Sequence, residues 1–99
     1  MTEERYLFFQ DGTYGPNGLT LPDGSIPTEA EMDEFAELEK ARMSALTGLF
    51  AVAFVGKDID DAAANGDIST MVKMGPDFMR ATRIARTRSR EFAELLEDN

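Results

Sequence analysis

Two residue types that carry much of enzyme chemistry are missing from this chain of 99 residues, which has no histidine and no cysteine. Without histidine there is no side chain whose ordinary pKa suits a general base near neutral pH, and without cysteine there is no thiolate nucleophile. The same absences remove the commonest ligands of zinc, copper and haem. We therefore expect a protein that is not an enzyme and that uses no metal and no cofactor.

The lack of cysteine also excludes a disulfide framework, which is typical of small secreted domains. The first residues, Met1-Thr2-Glu3-Glu4, are acidic where a secretion signal is basic, and no apolar run approaches the roughly 20 residues that cross a bilayer. These features predict a cytoplasmic location, or a place in a virion assembled in the cytoplasm, without membrane contact.

Basic residues are scarce and unevenly placed. The chain has 10 Lys and Arg against 19 Asp and Glu, for a net charge of -9. Residues 1–39 contain ten acids and only Arg5 as a base, whereas residues 73–90 contain six basic residues and only Asp77 as an acid. The excess negative charge disfavours nucleic acid as a partner, while the asymmetry favours a protein partner, either another copy or a second assembly component.

The first part of the chain is rich in glycine and proline, with four glycines and three prolines in residues 5–27. Turn-forming residues at this density break helices, so we expect an extended segment. Within it, residues 6–10 predict a strand, Asp11-Gly12 a hairpin turn, and residues 19–21 a second strand. We assign residues 1–27 to an extended or β-hairpin N-terminal arm and residues 28–99 to a helical domain.

The sequence from Thr28 onward predicts the first of two long amphipathic helices, since Thr28 and Glu31 have the spacing of a capping box. At about 100° per residue the helix has one apolar face. The members of that face are Met32, Phe35, Leu38, Met43, Leu46, Leu49, Phe50 and Ala53. Residues 49–55 are apolar on every side, which favours a fully buried helix end over the alternative, a short buried strand.

The tripeptide Gly75-Pro76-Asp77 is typical of a helix start, because proline suits the first turn and an acid suits the positive helix end. It predicts a second long helix that ends near residue 96. Between the two, residues 57–75 predict one or two short connecting helices, with Asp58 and Asp67 as N-caps and Asn65-Gly66 as a helix stop. The expected fold is mainly α: a small helical bundle with an extended or β-hairpin N-terminal arm.

Arginines give residues 80–90 an unusual composition, and four of them form an exposed stripe on a helix: Arg80, Arg83, Arg86 and Arg90. Three interpretations stay open: a solvated face balanced by the acids of residues 29–39, a contact with an acidic protein such as another copy, and a contact with nucleic acid. The candidate partner-binding set is completed by aromatic and apolar residues: Phe8, Phe9, Tyr14, Leu49, Phe50 and Phe54.

A fifth arginine, Arg88, falls on the apolar face of its predicted helix, and Glu39 intrudes in the same way on the first helix. A buried cation without a partner is costly. We therefore predict a structural ion pair between Glu39 and Arg88 across the two helices, with an ionic contact across an oligomer interface as the alternative.

These features favour a non-enzymatic structural or assembly protein that acts through protein–protein contacts and is oligomeric, for example a phage virion component or assembly factor. The alternative is a small acidic antagonist, such as an anti-defence protein, an antitoxin or a nucleic-acid mimic, that binds a basic site on a host protein. In that case the acidic run at residues 29–39 would be the binding face, where the simpler interpretation is solvated surface.

Overall fold

The protein is described here by a computed structural model that covers residues 1–97. Five elements follow in chain order: α1 (Glu3–Gln10), β1 (Thr13–Gly15), β2 (Gly18–Thr20), α2 (Glu29–Ala64) and α3 (Ile68–Glu97). The helices α2 and α3 form a long hairpin, and the molecule measures 58 × 27 × 18 Å. The prediction of a mainly helical fold with an N-terminal β-hairpin is confirmed.

The start and the end of α2 follow the predicted local signals. Thr28 Oγ1 accepts a hydrogen bond from the Glu31 amide at 3.2 Å, and Glu31 Oε1 accepts one from the Thr28 amide at 3.2 Å, which is a complete capping box. The helix stops at Asn65, and Gly66 has the left-handed φ of +69° that makes the turn. Asp67 then accepts a hydrogen bond from the Thr70 amide at 3.1 Å, as expected of an N-cap residue.

The prediction of short connecting helices is wrong. Residues 49–55 are helical, as favoured, but α2 continues past them, so that Asp58 lies inside the helix and caps nothing. Likewise α3 begins at Ile68, and Pro76 lies in its interior although proline there removes one backbone hydrogen bond. The physical reason is packing: half-buried Val55 and Ile59 flank Asp58, and half-buried Met71 and Met74 precede Pro76, so the contact between α2 and α3 extends to both sites.

The predicted strand at residues 6–10 is also wrong, because these residues belong to α1. Thr2 caps this helix, with its Oγ1 accepting a hydrogen bond from the Arg5 amide at 3.1 Å, and two acids occupy the first turn. The first glycine of the chain is Gly12, after the end of α1. A side chain does not fit there, because an added Cβ would lie 2.7 Å from Leu19 Cδ1. The hairpin therefore forms later, with Tyr14 opposite Leu19 in the antiparallel pair β1–β2.

The hydrophobic core lies at one end of the helical hairpin, where α1 and the β-hairpin cover α2 and α3. Its buried members are Met1, Tyr6, Phe9, Leu19, Leu21, Phe35 and Leu38, with Phe8, Met32, Phe92 and Leu96 packed against them. The Tyr6 ring lies 5.6 Å from the Phe35 ring and 5.8 Å from the Phe92 ring, so α1 contacts both long helices. This end therefore has a second layer, α1 and the β-hairpin, over the two long helices.

Beyond the core, α2 and α3 contact each other through small residues at heptad spacing. Among the buried and half-buried positions of α2, eight follow this spacing: Leu38, Ala41, Ala45, Gly48, Val52, Val55, Ile59 and Ala62. A Cβ on Gly48 would lie 3.1 Å from Ala85 Cα, so the backbones approach closely. The predicted core face is wrong at Met43, Leu49, Phe50 and Ala53, which are exposed, because that face continues the side of α2 that α1 covers near Phe35, and α1 does not extend along it.

Candidate protein interaction surface

Charge divides the molecule into three parts along its length. We call residues 40–57 and 78–90 the basic belt, residues 1–39 and 91–97 the base, and residues 58–77 the tip. The belt holds eight of the ten Lys and Arg residues and none of the 19 acids, so its formal charge is +8. The base holds 13 acids and only Arg5 as a base. The two segments of the belt lie side by side, as the close approach of Gly48 to Ala85 requires.

The belt also exposes large apolar side chains. Phe50 is 60% exposed and Phe54 is 68% exposed, and the other exposed members are Met43, Leu49, Phe78, Met79 and Ile84. In the base, α1 covers the face of α2 that carries Phe35 and Glu39. At about 100° per residue, Phe50 lies within roughly 60° of that same face. The covered face of the base therefore continues into the belt, where nothing within residues 1–97 covers it.

The four arginines of the predicted stripe are all exposed, and within residues 1–97 none of them forms an ion pair. Arg80 and Arg83 border grooves on the side of the hairpin away from α1. Arg86 lies on the other flank of α3, because it is turned by about 160° from Arg88, which lines both grooves. Arg90 follows Arg83 at heptad spacing, so these two arginines share one outer ridge of α3, about 20° apart. Arg80 and Arg86 therefore lie on different faces of α3, of which only the face of Arg86 continues the α1 side, and Arg83 and Arg90 lie between them.

The side away from α1 carries a groove of about 410 Å³ between the two helices. Its floor is made of small and apolar residues from both helices: Gly48, Ala51, Val55, Ala81 and Ile84. Asp77, Arg80 and Arg88 border it. This groove has mixed charge, in contrast to the flank that carries Arg86, which has no acid within the belt.

The predicted ion pair between Glu39 and Arg88 is not formed. Glu39 instead pairs with Arg42 on its own helix at 2.9 Å, and the guanidinium of Arg88 donates to the backbone oxygen of Ser44 at 3.4 Å. The Arg88 stem passes over Gly48, whose missing side chain leaves room for it. The turn between α2 and α3 sets this register, and it places Arg88 beside Ser44 and Gly48, which lie about 1.4 and 2.5 helical turns beyond Glu39.

Glu39 is the centre of a polar cluster between α1 and α2. Tyr6 donates to its carboxylate at 2.6 Å and Gln10 donates at 3.0 Å. Partial burial opposes ionisation of Glu39, but hydrogen bonds from Arg42, Tyr6 and Gln10 outweigh it and hold the pKa of this carboxyl below its usual range. Burial, followed by the bond to Glu39, raises the pKa of Tyr6 to about 12. The cluster fixes α1 to α2 at the border of the belt.

The aromatic candidates of the N-terminal arm divide between core and surface. Phe9 is only 1% exposed and Phe8 is half-buried, with the Arg5 guanidinium 5.0 Å and 5.5 Å from their ring centres. The prediction that Phe9 binds a partner is therefore wrong, because α1 turns it into the protein's own core. Tyr14, by contrast, is exposed on β1. It borders a recess of about 470 Å³ that opens where α1 ends.

Sequence reasoning missed one surface residue of α1. Leu7 is 51% exposed, and it lies between Glu4 and Asp11 on the outer face of the helix, opposite the buried Tyr6 and Phe9. The spacing of three and four residues between these positions is the signal that places them on one ridge. This spacing indicates a common ridge only if residues 3–10 are helical, and the sequence had predicted a strand for residues 6–10.

The chain matches no family model, no curated protein and no solved structure. Within residues 1–97, none of the helices has a stretch long and apolar enough to span a bilayer. The same part of the chain holds no group of three or more acidic side chains placed to bind a metal ion.

Proposed function

We propose that this protein is a non-enzymatic structural or assembly component that acts through protein–protein contacts and self-associates through the belt. The observation that carries the proposal is the uncovered apolar face of α2, with Phe50 and Phe54 more than half exposed. Soluble monomers rarely expose contiguous apolar patches of this kind, and such patches mark interaction sites.

The energetic gain from covering this face is substantial. Burial of one large apolar side chain contributes about 1.5–3 kcal/mol. The belt offers two phenylalanines together with Met43 and Leu49, all at least half exposed. The base shows what covers the same face elsewhere in the molecule, since Tyr6 and Phe9 of α1 pack on Phe35. A second layer of protein over the belt is therefore the favoured state.

Two further features support this function. The sequence offers no histidine or cysteine for catalysis, and the belt separates apolar and basic residues from the acidic base in a manner suited to oriented contacts. A phage particle assembled in the cytoplasm, or a factor that assists its assembly, is the setting that we propose for such a component.

The test is the mass of the protein in solution at micromolar concentration. We expect a species heavier than the 10.9 kDa chain, and we expect the double substitution Phe50→Ser/Phe54→Ser to reduce it to a monomer with unchanged helical circular dichroism. Ile26→Ser is the matched control, because Ile26 is 77% exposed but lies in the base outside the belt. A wild-type protein that stays monomeric throughout would contradict the proposal.

A second function is favoured by a separate observation. Glu29, Asp33 and Glu37 are all exposed and follow one another at four-residue spacing on α2, so they form an acidic ridge suited to a basic site on a host protein. For this acidic antagonist we expect salt-sensitive binding to a lysine-rich probe peptide, lost in Glu29→Gln/Asp33→Gln/Glu37→Gln. If the wild-type protein and the triple variant bind the peptide equally, the acidic ridge is not the binding face.

A further inference from the structure

We infer that the belt is covered by α1 of a second copy, in a closed dimer where two antiparallel copies each place α1 on the belt of the other. This inference rests on the proposed function and names the partner surface for it. The contact joins an acidic ridge with one apolar residue at its centre, Glu4–Leu7–Asp11, to a basic flank beside two exposed phenylalanines.

Charge decides which surfaces of two copies meet. A dimer that placed belt on belt would bring together two regions of formal charge +8 that contain no acid. A dimer that placed base on base would bring together two regions with 13 acids each. Base on belt joins opposite signs, whereas like-charge contacts across an interface cost several kcal/mol.

Shape favours the same arrangement. The base is thickened on one side by α1, whereas the belt on that side consists of the two long helices alone. In an antiparallel pair, the thick base of each copy therefore lies opposite the thinner belt of the other copy. Closed two-fold dimers of this kind, in which both copies use the same surfaces, are the commonest oligomers.

The dimensions are compatible with two contacts at once. On α2, α1 is centred near Phe35, which contacts Tyr6 and Phe9, and the exposed phenylalanine pair begins at Phe50. The separation of about 15 residues corresponds to roughly 22 Å along the helix. A two-fold axis halfway between them passes close to Met43, an exposed apolar residue that then meets its own counterpart.

The side chains at the contact are complementary in kind. Leu7 is 51% exposed and its ridge neighbours Glu4 and Asp11 are exposed acids. On the receiving surface, Phe50 and Phe54 supply apolar contact, and Arg86 on the flank of α3 supplies a guanidinium for a carboxylate. The opposite groove has Asp77 beside its arginines, whereas the flank of Arg86 has no acid within the belt.

A charge-swap experiment tests the dimer by its mass in solution. We expect wild-type protein at twice the chain mass of 10.9 kDa. We expect monomers from the belt variant Arg86→Glu/Arg90→Glu and from the ridge variant Glu4→Lys/Asp11→Lys, because each opposes like charges in both contacts. An equimolar mixture of the two variants should restore the dimer, since every contact then joins opposite charges again.

Two matched variants control for net charge and folding. Lys73→Glu/Arg80→Glu makes the same change in charge on the same helix but on the groove side, since Arg80 borders the groove and Lys73 lies on the same ridge at heptad spacing. Asp33→Lys/Glu37→Lys does so for the acids of the base. Both should remain dimeric, and circular dichroism should report equal helix content in all four variants. Loss of the dimer in either control would overturn the assignment of the surfaces.

The remaining outcomes separate this inference from the proposed function. A wild-type monomer would overturn both. A wild-type oligomer that survives Arg86→Glu/Arg90→Glu, or a mixture of variants that stays monomeric, would overturn the α1–belt contact and leave self-association standing. Oligomers that grow with concentration would overturn the closed dimer alone. Tight binding of a short DNA duplex at physiological salt, lost in Arg86→Glu/Arg90→Glu, would assign the belt to nucleic acid instead.

Discussion

The base and the belt are built from the same two helices, yet they differ in how much of the helix surface is covered. In the base, α1 and the β-hairpin add a layer over α2 and α3, and Phe35 is buried. In the belt, Phe50 lies on nearly the same face of α2 and is 60% exposed. The comparison teaches that an apolar residue at helical spacing becomes core only where a further element lies over it.

The largest expected effect on stability comes from replacing a phenylalanine by alanine in the base and comparing it with the same replacement in the belt. Phe9→Ala removes a fully buried ring from the base and should lower the free energy of unfolding by about 3–5 kcal/mol. Phe54→Ala removes an exposed ring from the belt and should change it by no more than about 0.5 kcal/mol. Urea unfolding of dilute protein measures both, and equal losses would mean that the belt is as well packed as the base.

A second test concerns the contact that fixes α1 to the base. The pKa of Tyr6 is raised to about 12, above the value of about 10 for an unfolded chain. The contribution of Tyr6 to stability is therefore complete below about pH 10 and is lost as the pH rises towards 12. Absorbance of tyrosinate should show this late titration, and Tyr6→Phe should remove it.

A Tyr14→Phe background isolates the Tyr6 signal, because these are the only two tyrosines in the chain. Titration of Tyr6 near pH 10 in that background would mean that the bond to Glu39 does not hold α1 in place in solution.

The smallest expected effect compares two glycines of α2 at the contact with α3. An added Cβ lies 3.7 Å from Phe78 at Gly56, but 3.1 Å from the Ala85 backbone at Gly48. Gly56→Ala should stabilise the protein by up to about 1 kcal/mol through helix propensity. Gly48→Ala carries the same propensity gain but must separate the helices, so it should be less stable than Gly56→Ala by about 1 kcal/mol, measured by thermal unfolding. Equal stabilities would mean that α2 and α3 do not approach closely at Gly48.

The parts of the fold that rest on local chemistry could be predicted from the sequence. The capping box at Thr28 and the helix stop at Asn65-Gly66 depend on residues that are neighbours in the chain, and both are present. Thr2 and the two acids after it are an N-cap signal of the same kind, but the glycines and prolines of residues 5–27 led to the prediction of an extended segment instead. A helix of eight residues fits before the first of them.

The parts that rest on long-range register could not be predicted. Glu39 and Arg88 each interrupt an apolar face, but their positions along the hairpin follow from the turn at Gly66 and from two uninterrupted helices. The predicted short connecting helices would have placed the residues of the two long helices at different heights relative to one another, so the partner of Arg88 could not be identified. The surface residues Phe50 and Phe54 were identified for their excess apolar character, whereas Leu7 required knowledge of α1.

The concentration of cations in the belt has a consequence for the isoelectric point, which lies near pH 4.3. Lysine and arginine stay protonated there, because their pKa values exceed about 10. The belt therefore keeps its charge of +8 when the net charge vanishes, and the rest of the chain must then carry an equal negative charge. At its isoelectric point this protein is neutral only in sum, and it remains a molecule with a positive middle and negative surroundings.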